Sequence, residues 1–313
     1  MPTLDQLFGE AAKAHGIEAT DFSQPTGHFV RAGGLRFHYV DWGGSGVPVL
    51  FLHGGNQTAR TWDLICVHLR DKYHCYALDQ RNHGESDRIQ DKDAPPFTQR
   101  EDIHGVVEAL DLRDFVLVGM SLGGFNTMAY AAKYPERLRA IAIVDVSPTV
   151  QPQGFRQIEE SREEIPRRGE FNSFDEAVEY SLRSNPRRSL AQLRYTLSFA
   201  LRQRADGIWT WKQQRAFRGE RDGQKPQPPD PARAKEALEQ RAGLWDEVAK
   251  IPCPALIIRG GNSRVLAEKD AERLLHALPR GSLVTVPEAT HNVQGDKPKE
   301  LGAALSRFLR TVA

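Results

Sequence analysis

Gly119, Ser121 and Gly123 form a G-x-S-x-G pentapeptide between an apolar run, Phe115–Val118, and an Ala- and Met-rich stretch from Leu122 to Tyr134. A serine hydroxyl attacks a carbonyl carbon when it protrudes from its backbone and a base takes its proton. Protrusion requires a sharp, strained turn between strand and helix. A Cβ two residues before or after the serine would then collide with a neighbouring element, so glycine suits both places. The candidate base is His291, in Val286-Pro-Glu-Ala-Thr-His-Asn292, between a late strand-like run and the last helical one. The order serine then histidine, with an acid between them, suits nucleophilic acyl transfer. His53-Gly54-Gly55-Asn56 ends another apolar run. The N–H of Gly55, with that of Leu122 beside the serine, would meet the charge that develops on a carbonyl oxygen. Asn56 is a candidate for the substrate pocket.

These groups must be brought together by elements far apart in the chain. His28–Ala32 and Leu35–Trp42 read as strands joined at Gly33-Gly34, a hairpin signal. Val47–Leu52, His74–Leu78, Phe115–Val118 and Arg139–Val146 follow as apolar strands, with helical patterns at Thr61–Leu69, Arg100–Leu110 and Leu122–Tyr134 between them. After Ser147-Pro148 the alternation stops. Residues 150–250 are rich in Arg, Gln and Glu and read as helical, with Pro226, Pro228, Pro229 and Pro231 as a linker near the end. The strand Ala255–Arg259, a helix over 267–277, the strand Ser282–Val286 and a helix over 298–311 complete the pattern. Strands alternating with helices on both sides of the insertion predict an α/β fold with a mostly parallel sheet flanked by helices. The expected divisions are an N-terminal appendage over 1–26, core over 27–149 and 251–313, and a helical cap over 150–250. The cap would lie over the C-terminal edge of the sheet, where open α/β sheets carry their sites.

Composition excludes several classes. The 313 residues are 40% hydrophobic, enough for a large core, and the net charge of +1 offers no general attraction to nucleic acid or membrane. Cys66, Cys75 and Cys253 lie in apolar contexts without metal-type spacing, so no metal or organic cofactor is implied. The first twenty residues carry Asp5, Glu10, Lys13 and Glu18 and no apolar run. With the free thiols, that favours a cytoplasmic location. Between Arg183 and Arg218 stand nine basic residues and one acid, Asp206. That run reads as the solvated face of helices; the alternative reading is a positively charged cap that attracts a carboxylate-bearing substrate. Trp209 and Trp211, two apart, would share one face of an extended segment and either wall an acyl pocket or pack the cap.

Asp79-Gln-Arg-Asn-His-Gly-Glu-Ser86 ends the fourth strand. Here the chain resembles the α/β-hydrolase superfamily, whose members commonly show D-x-R-G-H-G-x-S. Asn82 replaces the first glycine, as in esterase-like branches. The resemblance spans about residues 27–148 and 250–311 and implies a bracing role for this segment. It also implies a carboxylate for the histidine, usually in the turn after the penultimate strand. That turn here is Gly260-Gly-Asn-Ser-Arg-Val265, without an acid and with Arg264 where many relatives carry Asp. Another arrangement in the superfamily puts the acid after the strand that follows the elbow helix, where this chain has Asp145. Glu268 and Asp270 are weaker candidates inside the next helix. The resemblance thus implies a capped serine hydrolase for small or medium carboxylic esters, with lactones, thioesters and C–C bonds as alternatives on the same groups. A small-molecule substrate is the expected partner, the oligomeric state is open, and a non-catalytic binding or signalling member of the fold is the alternative of another class.

Overall fold

Residues along the central strands alternate between two apolar clusters. Val49, Phe51, Val116, Val118, Ala140, Ala142 and Val144 belong to one. Leu50, Leu52, Phe115, Leu117, Ile141 and Ile143 belong to the other. A period of two sends successive side chains to opposite faces, and helices on both faces explain why the strands are apolar throughout. The computed structural model describes residues 3–19, 21–89, 97–149, 169–212, 239 and 242–312.

In chain order the elements are α1 (Leu4–Ala14), β1 (Thr26–Ala32), β2 (Leu35–Asp41), β3 (Pro48–Leu52), a 3-10 turn (Ala59–Trp62), α2 (Asp63–Leu69), β4 (His74–Leu78) and α3 (Thr98–Ala109). Next come β5 (Phe115–Met120), α4 (Leu122–Lys133), β6 (Leu138–Val144), β7 (Glu170–Phe171), α5 (Phe174–Ser184), α6 (Leu190–Ala200), β8 (Leu201–Gln203) and β9 (Trp209–Trp211). A helix over 242–248 is α7. The chain ends with β10 (Ala255–Gly260), α8 (Glu268–Ala277), β11 (Gly281–Val286), α9 (Val293–Asp296) and α10 (Pro298–Val312). The eight-stranded sheet has the order β1-β2-β4-β3-β5-β6-β10-β11. Only the β1–β2 and β2–β4 pairs are antiparallel. Parallel strands ending at one edge bring the loops after β3, β5, β6, β10 and β11 together, which is how residues up to 170 positions apart come to share a site.

Three expectations change. The insertion is not wholly helical: beside α5 and α6 it holds an antiparallel sheet in the order β7-β9-β8. Trp209 and Trp211 sit on β9 and pack edge-on against Phe174 and Phe171, at centroid separations of 5.2 and 6.1 Å. They close the cap's own small core around Phe171, Val178 and Leu201. The proline linker at Pro226–Pro231, with Arg215 and Arg218, lies outside the described residues. The second part of the core begins before residue 251, because Leu244 and Val248 of α7 are buried in the same cluster as Ala255 and Ile257.

The N-terminal segment is part of the core rather than an appendage. α1 opens with a reciprocal cap in which Thr3 Oγ1 accepts from Gln6 N and Gln6 Oε1 accepts from Thr3 N. Leu7, Phe8, Ala11 and Ala12 then form a buried stripe at helical spacing. Phe8 stacks on Tyr195 of the cap helix α6 at 4.7 Å and leans on Trp42 at 5.4 Å. The Tyr195 hydroxyl donates to Asp63 Oδ2 at 2.8 Å and accepts from Arg60 Nη2 at 3.1 Å. Arg60 in turn lies over the Phe199 ring at 3.7 Å. Burial drives the Asp63 carboxyl up to about 6, although Arg60 and the Tyr195 hydroxyl pull it down.

Two outcomes follow from this junction. Phe8→Ala should cost about 3–5 kcal/mol, the usual range for a buried aromatic, read as a lower urea midpoint at unchanged slope. The second concerns pH. The folded Asp63 pKa lies above its unfolded value of about 3.8, so the native state gains stability from this group as pH falls through about 6. Asp63→Asn removes that gain. Between pH 7 and 4.5 the native protein should therefore gain about 2 kcal/mol on the variant, measured by urea unfolding at each pH.

Candidate active site

Ser121 stands between the end of β5 and α4 with φ at 51°, in the left-handed region. Its N–H donates to Val144 O at 3.0 Å. The turn closes only because its flanks lack side chains. A Cβ on Gly119 would lie 2.2 Å from Gly123 O, and one on Gly123 would lie 2.3 Å from Leu52 O. Strain of this kind is held by packing and thrusts the hydroxyl outward.

His291 Nε2 is 3.0 Å from Ser121 Oγ, and His291 Nδ1 is 2.8 Å from Asp145 Oδ2. Asp145 directly follows β6, has φ at 53° and is fully buried. Its Oδ1 accepts from Gly260 N at 2.8 Å, and its Oδ2 also accepts from Ser263 Oγ at 2.5 Å. The carboxylate therefore has three donors, which a buried charge requires. With Asp145 accepting at Nδ1, the imidazole carries its proton there and leaves Nε2 free to take one from Ser121. Glu268 and Asp270 head helix α8, with Asp270 buried and Glu268 exposed, and neither makes a hydrogen bond to His291.

The structure thus brings together Ser121, His291 and Asp145. It also brings in Ser263, which the sequence reading passed over. Ser263 sits inside the Gly260–Val265 turn, where a carboxylate was sought and a hydroxyl stands instead. The available signal was a small donor in that turn. It acquires meaning only once Asp145 is known to face it.

Leu122 directly follows Ser121, and Gly55 lies in the loop after β3. A Cβ on Gly54 would be 2.6 Å from Met120 Sδ and 3.4 Å from Ser121 Cβ, so the loop after β3 presses on the elbow. Among the described residues neither the Gly55 N–H nor the Leu122 N–H donates a hydrogen bond. Leu122 is the first residue of α4, where an N–H has no acceptor in its own helix and the dipole favours negative charge. Two such donors, where they face one oxygen, would suit the charge of a tetrahedral intermediate.

Neutral imidazoles and amides hold this loop. His53 Nδ1 donates to Gly54 O at 2.7 Å and its Nε2 accepts from Gln80 N at 3.0 Å. Burial takes the His53 pKa down to about 3, with His83 beside it pushing the same way, so the ring stays neutral. Asn56, with φ at 61°, donates its N–H to His83 Nε2 at 3.2 Å, while its side chain is at the exposed rim. Gln57 Oε1 accepts from Gly54 N at 3.0 Å and from Gln294 Nε2 at 3.1 Å, coupling this loop to the segment after His291. Arg81 is buried in a two-point pair with Asp102, at 2.5 and 2.7 Å. In the Asp79–Ser86 segment Arg81 is thereby tied to α3, and His83 to the loop after β3. Thr290 N donates to Asp296 Oδ2 at 2.8 Å, fixing the residue before His291 from the following helix.

A family model for the alpha/beta hydrolase fold matches residues 47–298, and the chain belongs to that family. The chain is 29% identical to esterase Rv0045c of Mycobacterium tuberculosis over 299 residues, 94% of this chain and 92% of that protein. A crystal structure of Rv0045c aligns with a TM-score of 0.73 at 27% identity, over 99% of this chain and 98% of the other. 2-(Acetamidomethylene)succinate hydrolase of Mesorhizobium japonicum is 26% identical over 267 residues, 85% of this chain and 89% of its own. The crystal structure of an E-2-(acetamidomethylene)succinate hydrolase has the same fold, with a TM-score of 0.74 at 23% identity over 92% of this chain and 100% of the other. Among the described residues no helix is long and apolar enough to cross a membrane.

The Asp145 contacts predict a graded response. Asp145→Asn should lower kcat by about 10⁴, since an amide at Nδ1 favours the wrong tautomer. Ser263→Ala, which leaves two of the three donors to Asp145, should lower it by about tenfold. Equal losses in both variants, measured with one ester, would show that the Ser263 bond matters as much as the carboxylate itself.

Proposed function

We propose that this chain is a serine hydrolase of small or medium carboxylic esters, acting through an acyl-enzyme. The observation that carries the reading is the unbroken contact chain from Ser121 Oγ to His291 to Asp145, beside two unengaged backbone donors. Ser121 Oγ attacks the ester carbonyl as His291 Nε2 takes its proton. The N–H groups of Gly55 and Leu122 meet the oxyanion, and Asp145 holds the imidazolium. His291 then gives the proton to the departing alkoxide, leaving an acyl group on Ser121. Water, deprotonated by His291, attacks the acyl carbonyl, and collapse of that second intermediate returns the hydroxyl and frees the acid.

The similarity to an esterase along nearly the whole chain supports ester bonds as the substrate class. Lactones, thioesters and activated C–C bonds would use the same groups. A non-catalytic role is disfavoured, because such members commonly lose the serine or the histidine and this chain has both in contact. Trp209 and Trp211 we assign to cap packing, and Asn56 to the rim of the pocket. The three buried free thiols support a reducing compartment such as the cytoplasm.

Ser121→Ala should lower turnover of a short chromogenic ester by at least about three orders of magnitude. A serine-directed phosphonate should add to Ser121, seen as a mass shift on its peptide. Labelling of any other residue, or turnover surviving in the alanine variant, would overturn the assignment.

A further inference from the structure

The cap contributes one arginine that differs from its neighbours. Arg183, Arg187 and Arg202 are exposed. Arg194 pairs with Asp175, and Arg204 with Glu170 and Asp206. Arg188, between α5 and α6, turns inward at the seam between cap and core. A Cβ on Gly295 would lie 2.9 Å from its Nη2, 3.1 Å from its Nε and 3.1 Å from Asn292 Cγ. The guanidinium therefore rests on α9, the short helix that starts right after His291. Residue 295 as glycine leaves it the room to do so.

This seam is held in place independently of Arg188. Ser189 Oγ caps α6 by accepting from Gln192 N at 3.1 Å, and Gln192 Nε2 donates to Gly295 O at 3.2 Å. His15 Nε2 donates to Gln192 Oε1 at 3.0 Å, bringing α1 to the same point. The nearest acidic influence on Arg188 is Asp296, which is held by Thr290. Among the described residues no carboxylate or carbonyl bonds the Arg188 guanidinium. Burial works against its charge and lowers its pKa, with Asp296 partly opposing. An arginine keeps its proton nonetheless, so this part-buried guanidinium is a partly desolvated charge whose N–H donors no acceptor among the described residues engages.

We propose that Arg188 is the binding site for a carboxylate on the substrate, so that the preferred esters are half-esters of dicarboxylic acids or esters carrying a comparable free acid. The proposal rests on the hydrolase reading and narrows its substrate class. The substrate carboxylate takes two parallel N–H bonds from the guanidinium fork while its ester carbonyl lies at Ser121. Such a contact replaces the missing counter-charge and orients the acyl chain across the His291 loop.

The test compares nitrophenyl half-esters of succinate, glutarate and adipate with the same compounds methyl-capped at the free acid. For at least one chain length the native protein should favour the charged compound in kcat/KM. Arg188→Gln should lower the charged-to-neutral ratio by at least about tenfold, chiefly through KM, and Arg188→Lys should restore part of it. Should Arg188→Gln fail to fold, inhibition of the native protein decides: glutarate should inhibit at a concentration at least about tenfold below butyrate. A native protein indifferent to the charge, or a ratio unmoved in Arg188→Gln, overturns the proposal. Phosphonate labelling keeps the two readings apart. Loss of charge preference with Ser121 still labelled removes only the Arg188 site, whereas absence of the Ser121 adduct removes the hydrolase reading itself.

Discussion

A fully buried carboxylate organises the edge of this sheet. Asp145 is costly to bury as an anion unless donors surround it, and its three donors come from two other segments. Gly260 ends β10 and Ser263 lies in the turn after it, and His291 belongs to the loop after β11. The strand that bears Asp145 also accepts the Ser121 N–H through Val144 O. One charge requirement therefore sets the relative positions of the loops after β5, β6, β10 and β11. The histidine tautomer follows from the same bond, without any further device.

A second constraint is steric and acts on the nucleophile. Backbone oxygens of Gly123 and Leu52 occupy the space that side chains at 119 and 123 would need. That closeness holds Ser121 in a left-handed conformation and draws the loop after β3 against it. His53, Gln57 and Gln80 then fix that loop with neutral groups.

The cap is positioned through the N-terminal helix as well as through its own contacts. Phe8, Tyr195, Arg60 and Asp63 form one junction, and His15, Gln192 and Gly295 another. Both tie α6 to the core on the side of the His291 loop. A cap held this firmly can present a side chain such as Arg188 at a defined place. An arginine on a loosely attached lid would lose much of its orienting effect to side-chain and hinge entropy.

Much of the fold was legible along the chain because it depends on short-range regularities. Strands such as Val47–Leu52 and Phe115–Val118 announce themselves by continuous apolar runs, and the elbow by glycines two residues either side of a serine. Helix and strand boundaries in the core fell within a few residues of those read from periodicity. His291 was legible as a late-loop histidine between the last strand and the last helix, whereas Asp145 came from the resemblance, which offers an acid position after the strand following the elbow helix. The cap was harder. Its two- and three-residue strands are too short for a period of two to register, and Trp209 and Trp211 look the same in sequence whether they face a ligand or Phe171 and Phe174. The buried stripe of α1 packs on Tyr195, which lies 187 residues beyond Phe8 and so leaves no local mark beside it. Ser263 and Arg188 acquired meaning only through neighbours brought from 118 and 107 positions away, at Asp145 and Gly295. Local sterics and periodicity are carried by adjacent residues, so the sequence alone determined the elements and the glycine-flanked turn at Ser121. Which donor satisfies a buried carboxylate, and which cap arginine turns toward the helix after His291, depend on how distant segments pack, and only the tertiary structure decided them.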